Sequence, residues 1–205
     1  MRRAVASILI SLLVLAMAGP SAWSYPRPAR VSDRPEVTFQ PNALRMFRAE
    51  DGRRYWYLIY DVVNMTGEDR TWAPSMTLFT DRGEVLVDGV AVSRTVAEAI
   101  RRHVGDPLIE PRAAIIGQLR QGPAHARRGM AMWPADRHDV TELRIFVEGI
   151  SPESVTIPHP VTGEPLTMRK NLHLHYLVAG DPRPLGDDPI PLHPDYPAEE
   201  HWVFR

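Results

Sequence analysis

His173-Leu174-His175 is the stretch where two metal-ligating side chains share a local geometry. Residues two apart on a strand project from one face, about 7 Å apart at the backbone, so the two imidazoles would stand side by side. That is the strand version of a two-histidine metal clip, and Zn²⁺ would draw one or two further ligands from elsewhere. His159 falls across the same expected hairpin, and Asp181, His193 and His201 follow in the tail. The competing reading is a solvated strand face, with Leu172, Leu174, Tyr176 and Val178 packing beneath. Alternation turns Leu174 and Tyr176 inward and both imidazoles outward. Only two zinc ligands are fixed locally, so the expectation is two outward histidines with no bound metal and no cofactor.

Other chemistries find less. Cysteine is absent, and no Gly-x-Ser-x-Gly elbow is present; Ser75 and Ser93 have no histidine assigned to them. The paired carboxylates Glu199-Glu200 and Asp187-Asp188 lie in a proline-rich tail, which holds reacting groups poorly. Asp181, Asp187 and Asp188 match no calcium-loop spacing. No catalytic residue is therefore assigned, and the chain reads as no enzyme. Trp56, Trp72, Trp133 and Trp202 could form a strip that stacks on sugar or peptide faces. Trp56 and Trp133 read as core, whereas Trp72, in a loop before Pro74, and Trp202, in the tail, are the candidates for a partner surface.

The 205 residues are 44% apolar, enough for one domain with a real core. A formal charge of −1 with scattered arginines gives no basic patch, so nucleic acid is not an expected partner. Arg2 and Arg3, the apolar run Ala4–Ala18, the breakers Gly19 and Pro20, and Ala22-Trp23-Ser24 follow the order of a secretory signal peptide. The apolar run is short for a membrane span, so residues 1–24 are expected to be removed, leaving no spanning segment and a periplasmic or extracellular protein. An uncleaved anchor is the alternative. The cut would take two of the 24 basic side chains and leave 22 against 25 acidic. Without cysteine, packing alone must hold the fold. Asn64-Met65-Thr66 matches the N-glycosylation triplet.

The elements that would position these residues are mostly strands. Residues 25–35 read as a flexible lead-in, 36–179 as the folded body and 180–205 as a proline-rich tail whose apolar end could dock back. Tyr55–Asn64 is apolar on both pleat faces, which places it in the middle of a sheet. Glu36–Gln40 and Ala43–Arg48 read as two strands before it; Met76–Phe79, Glu84–Val87, Gly129–Trp133 and Thr141–Gly149 read as strands after it. A last hairpin joins Val155–Ile157 to Leu166–Ala179 through Thr162-Gly163-Glu164. Ser93–Val104 reads as one helix, with Thr95 and Glu98 as a capping box and Gly105 as the stop, lying across one end of the body. Residues 107–122 could hold a strand or a short helix, and the flanking prolines favour the strand.

About eight short strands and one helix make the expected fold an antiparallel, Ig-like β-sandwich. Tyr55–Asn64 followed by Thr66-Gly67-Glu68, then Ser75–Phe79 and Asp81-Arg82-Gly83, is similar to the telokin-like, Ig-like domains of exported bacterial proteins. Gly129–Trp133 and Glu142–Val147 resemble the closing strands of those domains, so the likeness covers about Val37–Gly149. It implies a fold and an extracytoplasmic setting, and it supplies no catalytic residues. The inserted helix, the last hairpin, the tail and the missing lipoprotein cysteine depart from the pattern. Three functions stay open: a non-catalytic module binding an envelope or extracellular component, a metal protein using His173 and His175, and a carbohydrate-binding module using exposed tryptophans. N-terminal sequencing of the exported protein is expected to start at Tyr25; a start at Met1 in a membrane fraction would instead identify a retained signal anchor.

Overall fold

The computed structural model describes residues 27–28, 34–195 and 201–205. The expected signal peptide lies outside them. The protein is mainly β, with antiparallel sheets and few helices. In chain order the elements are β1 (Arg27–Pro28), β2 (Thr38–Arg48), β3 (Arg54–Val63), β4 (Arg70–Trp72), β5 (Ser75–Thr80), β6 (Val85–Val87), α1 (Arg94–Val104), α2 (Arg112–Ile115), β7 (Gly117–Leu119), β8 (Arg127–Pro134), β9 (Glu142–Glu148), β10 (Ser154–Pro158), β11 (Pro165–Leu177) and β12 (Trp202–Phe204). One sheet runs β1-β12-β11-β9-β5-β6, with β10 pairing to the start of β11; a second runs β2-β3-β8, and β4 pairs with β7.

Alternation along β3 builds two cores at once. Trp56, Leu58, Tyr60 and Val62 meet Met76 and Leu78 of β5, Leu143, Ile145 and Val147 of β9, and Leu172, Leu174 and Tyr176 of β11 between the two sheets. Tyr55 and Tyr57 point the other way, onto Ile100 of α1 and Met130 and Met132 of β8. A strand apolar on both faces is what this middle layer requires. The helix accordingly covers the outer face of the small sheet, rather than an end of the body as its narrow stripe suggests. Its cap differs too. Ser93, not Thr95, accepts the Val96 N–H at 3.3 Å, and Glu98 pairs with Arg94 at 2.8 Å instead of closing a capping box. Gly105 stops the helix in the left-handed conformation.

Three further expectations are corrected. The two strands read before β3 are one, because Pro41, Asn42 and Ala43 fit as a bulge between Pro41 and Leu44 without ending the pairing. Residues 107–122 hold both options in succession, the four-residue helix α2 and then β7. The lead-in holds a strand, β1, which pairs with β12, while the apolar end of the tail docks back as its composition suggests, β12 pairing with β11. Ile190 exchanges backbone hydrogen bonds with Leu44 of β2, and Leu192 bridges Tyr176 of β11. Asp187 is held by the Tyr57 hydroxyl and the His103 ring, and its carbonyl accepts from Arg45 at 2.5 Å. The tail thus straps the two sheets together. The glycosylation triplet is also spent internally: Asn64 is buried and donates to the carbonyls of Glu68 and Leu119 at 2.9 and 2.7 Å.

Leu58 and Ile145 face one another's sheets with no exposure. Truncating either to Ala is expected to cost about 2–5 kcal/mol in equilibrium denaturation. A loss well under 1 kcal/mol at both sites would mean that the faces of β3 and β9 are wrongly assigned.

Candidate functional site

Sheet register decides what reaches the outer face of the large sheet. Val85, Phe79, Arg144 and His175 are cross-strand neighbours in one row; Val87, Thr77, Phe146 and His173 are neighbours in the next. The two histidines share the outer face, opposite Leu172, Leu174 and Tyr176 in the core, as the alternation requires. They are not solvated. Their rings continue a stack: Phe146 to His173 at 4.8 Å and 9°, His173 to His175 at 6.2 Å and 18°, His175 to His193 at 5.2 Å and 22°. The tail supplies this cover. The His193 N–H donates to the His175 carbonyl at 2.8 Å, and the His173 N–H donates to the His201 carbonyl at 2.7 Å. His175 is left 6% exposed.

Such a stack suits packing better than metal binding. Nearly parallel rings aim their nitrogens along parallel lines, whereas a tetrahedral ion needs them to converge. His159 does not join them. It lies beyond the Pro158–Pro165 end of the hairpin, roughly 25 Å along β11 from His173 at strand rise. There its Nδ1 accepts from the Val161 and Thr162 N–H groups at 3.3 and 3.2 Å. Asp181 pairs with Arg183 at 2.5 Å, and Asp187 with His103 at 3.2 Å. Among the described residues no three His, Asp or Glu side chains gather where they could hold a metal ion.

The tryptophans offer no open strip among the described residues. Trp72 is fully buried, not at a surface: its ring lies 6.3 Å from both Tyr60 and Phe39, because β4 turns inward to pair with β7. Trp56 and Trp133 are core. Trp202 is half-buried and carries the Lys170 ammonium over its ring at 4.7 Å.

Beside the stack lies a groove of about 540 Å³, lined by Phe79, Thr80, Asp81, Glu142, Arg144, Phe146 and Arg205. Its corner is made by Phe79 and Phe146, edge to face at 5.3 Å, with the Arg205 guanidinium 4.6 Å from both ring centres. Arg144 pairs with Glu142 at 2.8 Å. Asp81 sits below its usual carboxylate range: burial opposes this, but hydrogen bonds from the Thr141 hydroxyl and N–H outweigh it. Burial pulls the Arg205 value down, against the opposing charge of Glu148. No sequence pattern singles out these residues, because the pairing of β5 with β9 and the return of β12 create the groove. A second groove of about 550 Å³ lies between α1 and α2 over Met130 and Met132. Its arginines are engaged: Arg94 with Glu98, Arg101 with the Ile109 carbonyl and Arg112 with Asp88.

No protein-family model, curated protein or solved structure matches the chain. Among the described residues no helix is long and apolar enough to cross a membrane.

Burial, then the nearby charges of Arg144, His175 and His201, lowers the His173 pKa from 6.5 to about 4. The folded state therefore takes up this proton later than the unfolded chain. Stability tied to His173 is full above pH about 6.5 and is lost as pH falls toward 4. The urea midpoint is expected to drop across that window, and His173→Phe, which keeps the stack without the proton, should flatten the drop. An unchanged slope in the variant would remove His173 as its source.

Proposed function

We propose that this chain is an exported, non-catalytic module with an Ig-like β-sandwich body that binds or supports another envelope or extracellular component. The observation carrying this reading is the outer face and free edge of the large sheet. Val85, Val87 and Val90 are 56%, 43% and 76% exposed; Val85 ends the row that holds Phe79, and Val87 ends the neighbouring row that holds Phe146. A water-facing sheet surface is ordinarily polar, and a contiguous apolar row marks a contact surface. Among the described residues the edge itself is left open on one side. The Thr80 N–H donates to Glu84 and the Asp88 N–H to Met76. By alternation Val85 and Val87 then turn their backbone groups away from β5. Among the described residues only the Val87 carbonyl is taken up, by the Val90 N–H at 3.3 Å. A partner strand could add there through main-chain hydrogen bonds, with the valines giving selectivity.

The catalytic and carbohydrate readings have less support. Most described carboxylates near the groove are engaged with arginines or threonines, and the aromatic rings present edges or covered faces to water. Export rests on the order of features in residues 1–24, and the Ig-like reading on the resemblance over Val37–Gly149.

The mature protein and a Val85→Asp, Val87→Asp variant should be compared in pull-downs from an envelope fraction. We expect a component retained stoichiometrically by the first and lost from the second, at matched thermal stability. Equal retention by both would move the surface elsewhere, and no retention by either would remove the binding role.

A further inference from the structure

We propose that the Phe79–Phe146–Arg205 groove is a binding site for a single carboxylate carried on a flat apolar body. This deepens the binding role proposed above by naming the chemistry of what the outer face takes, and it rests on that reading for its biological meaning.

Three observations carry it. The first is a cation with no ion pair among the described residues. Arg205 has no carboxylate within ion-pairing distance and no side-chain hydrogen bond among the described residues. Glu148, the acid nearest in influence, pairs with Arg169 at 3.3 Å. The guanidinium is held instead by two aromatic rings at 4.6 Å. Contact with a ring face uses the charge and consumes no hydrogen-bond acceptor. Five N–H donors in a planar fork therefore remain for a bidentate oxyanion.

The second is placement. Arg205 does not hang from a loose end. Its N–H donates to the Arg169 carbonyl at 3.1 Å, and its carbonyl accepts from the Arg169 N–H at 2.8 Å. Backbone pairing at both groups, together with the adjoining strand β12 on β11, fixes where the fork starts. A cation fixed before the ligand arrives loses less freedom on binding.

The third is the charge and shape of the surround. Arg144 is neutralised by Glu142 at 2.8 Å, and Asp81 lies 3.7 Å from Arg82. Asp81 and Glu142 line the groove beside Arg144 and Arg205, so a monoanion set against the Arg205 fork meets less repulsion than a dianion would. The Phe79 and Phe146 walls and a volume of about 540 Å³ leave room for an apolar body beside the anion. The groove under α1 has similar volume but no such cation, since its arginines are already paired.

Benzoate is the direct probe, with neutral benzamide and inorganic phosphate beside it. In the full mature protein, benzoate should give saturable NMR shifts of the Phe79 and Phe146 rings and the Arg205 Nε–H. Benzamide should not saturate, and phosphate should bind at least tenfold more weakly than benzoate. Arg205→Gln should weaken benzoate at least tenfold, and Arg205→Lys should weaken it less. Far-UV circular dichroism and the unchanged core resonances confirm that each variant is folded; should Arg205→Gln unfold, the Arg205→Lys loss and the benzamide comparison decide alone. Absence of saturation, equal binding of benzamide, or equal binding to Arg205→Gln would overturn the site. Phosphate binding as well as benzoate would overturn the apolar body. The two proposals fail separately: partner retention lost in the valine variant with no benzoate binding sinks only the anion site, and benzoate binding with no partner sinks only the larger role.

Discussion

Lys170 is the only lysine in the chain, and its side chain has no exposure to water. Its ammonium lies 2.8 Å from Glu36, 3.1 Å from Glu153 and over the Trp202 ring. Four segments meet at this charge: the approach to β2, the approach to β10, the middle of β11, and β12. A buried ammonium is costly unless its protons are all directed at partners, and two carboxylates with an aromatic face provide that. Removing one partner from such an arrangement costs about 3–5 kcal/mol, because the remaining charge stays buried. The consequence reaches the surface. Trp202 is the first residue of β12, and three residues later the same strand delivers Arg205 into the groove. The position of the Arg205 guanidinium in that groove depends on the buried ammonium behind it.

The treatment of sheet edges points to the same face. The outer edge of β2 is taken by Ile190 through paired hydrogen bonds with Leu44. The outer edge of β8 is taken by Gly89, whose N–H donates to Met132, by Asp88, whose carboxylate accepts the Met132 N–H at 2.8 Å, and by Glu110, whose N–H donates to Arg128. Burial pushes the Asp88 carboxyl up, and the Met132 N–H and Arg112 hold it as an acceptor. These edges are closed with polar groups that would be expensive to bury unpaired. Against that pattern, β6 is short, carries exposed valines and keeps most of its outward backbone groups open. Unmanaged edges attract other chains, and an apolar edge left open beside a groove is what the proposed contact surface rests on.

Legibility in the sequence followed the range of the interaction. The two-faced β3, the alternation of β9 and the shared face of His173 and His175 depend on neighbours within a few residues, and all three could be read locally. Pro41-Asn42-Ala43 looked like a break because a bulge and a turn share composition; only the resumed pairing of Leu44 with Leu58 distinguishes them. Ser93 displaced Thr95 as the cap because capping depends on which residue leaves the extended region, and both carry a suitable hydroxyl. Trp72 looked exposed beside Pro74, but its partner Gly117 is 45 positions away. The groove lay furthest from reach. Phe146 reads as one member of an alternating strand, Phe79 as the end of a short strand, and Arg205 as the last residue of a tail. Their meeting requires three registers at once.

The histidines belong to this design through packing. A ring stack on the outer face of a sheet needs support from both ends, since each member otherwise presents a bare face to water. His193, brought by the tail, closes one end, and Phe146 with Arg205 closes the other. Imidazole serves here as a flat spacer that stacks while neutral. Its cost is that protons disrupt it. Charged rings 6.2 and 5.2 Å apart, beside Arg144, would repel in a poorly hydrated setting, and burial lowers both His173 and His175 against that outcome. The aromatic wall of the groove is therefore as firm as the neutrality of the row behind it, and the strap that keeps water from the row also sets the wall that a ligand would meet.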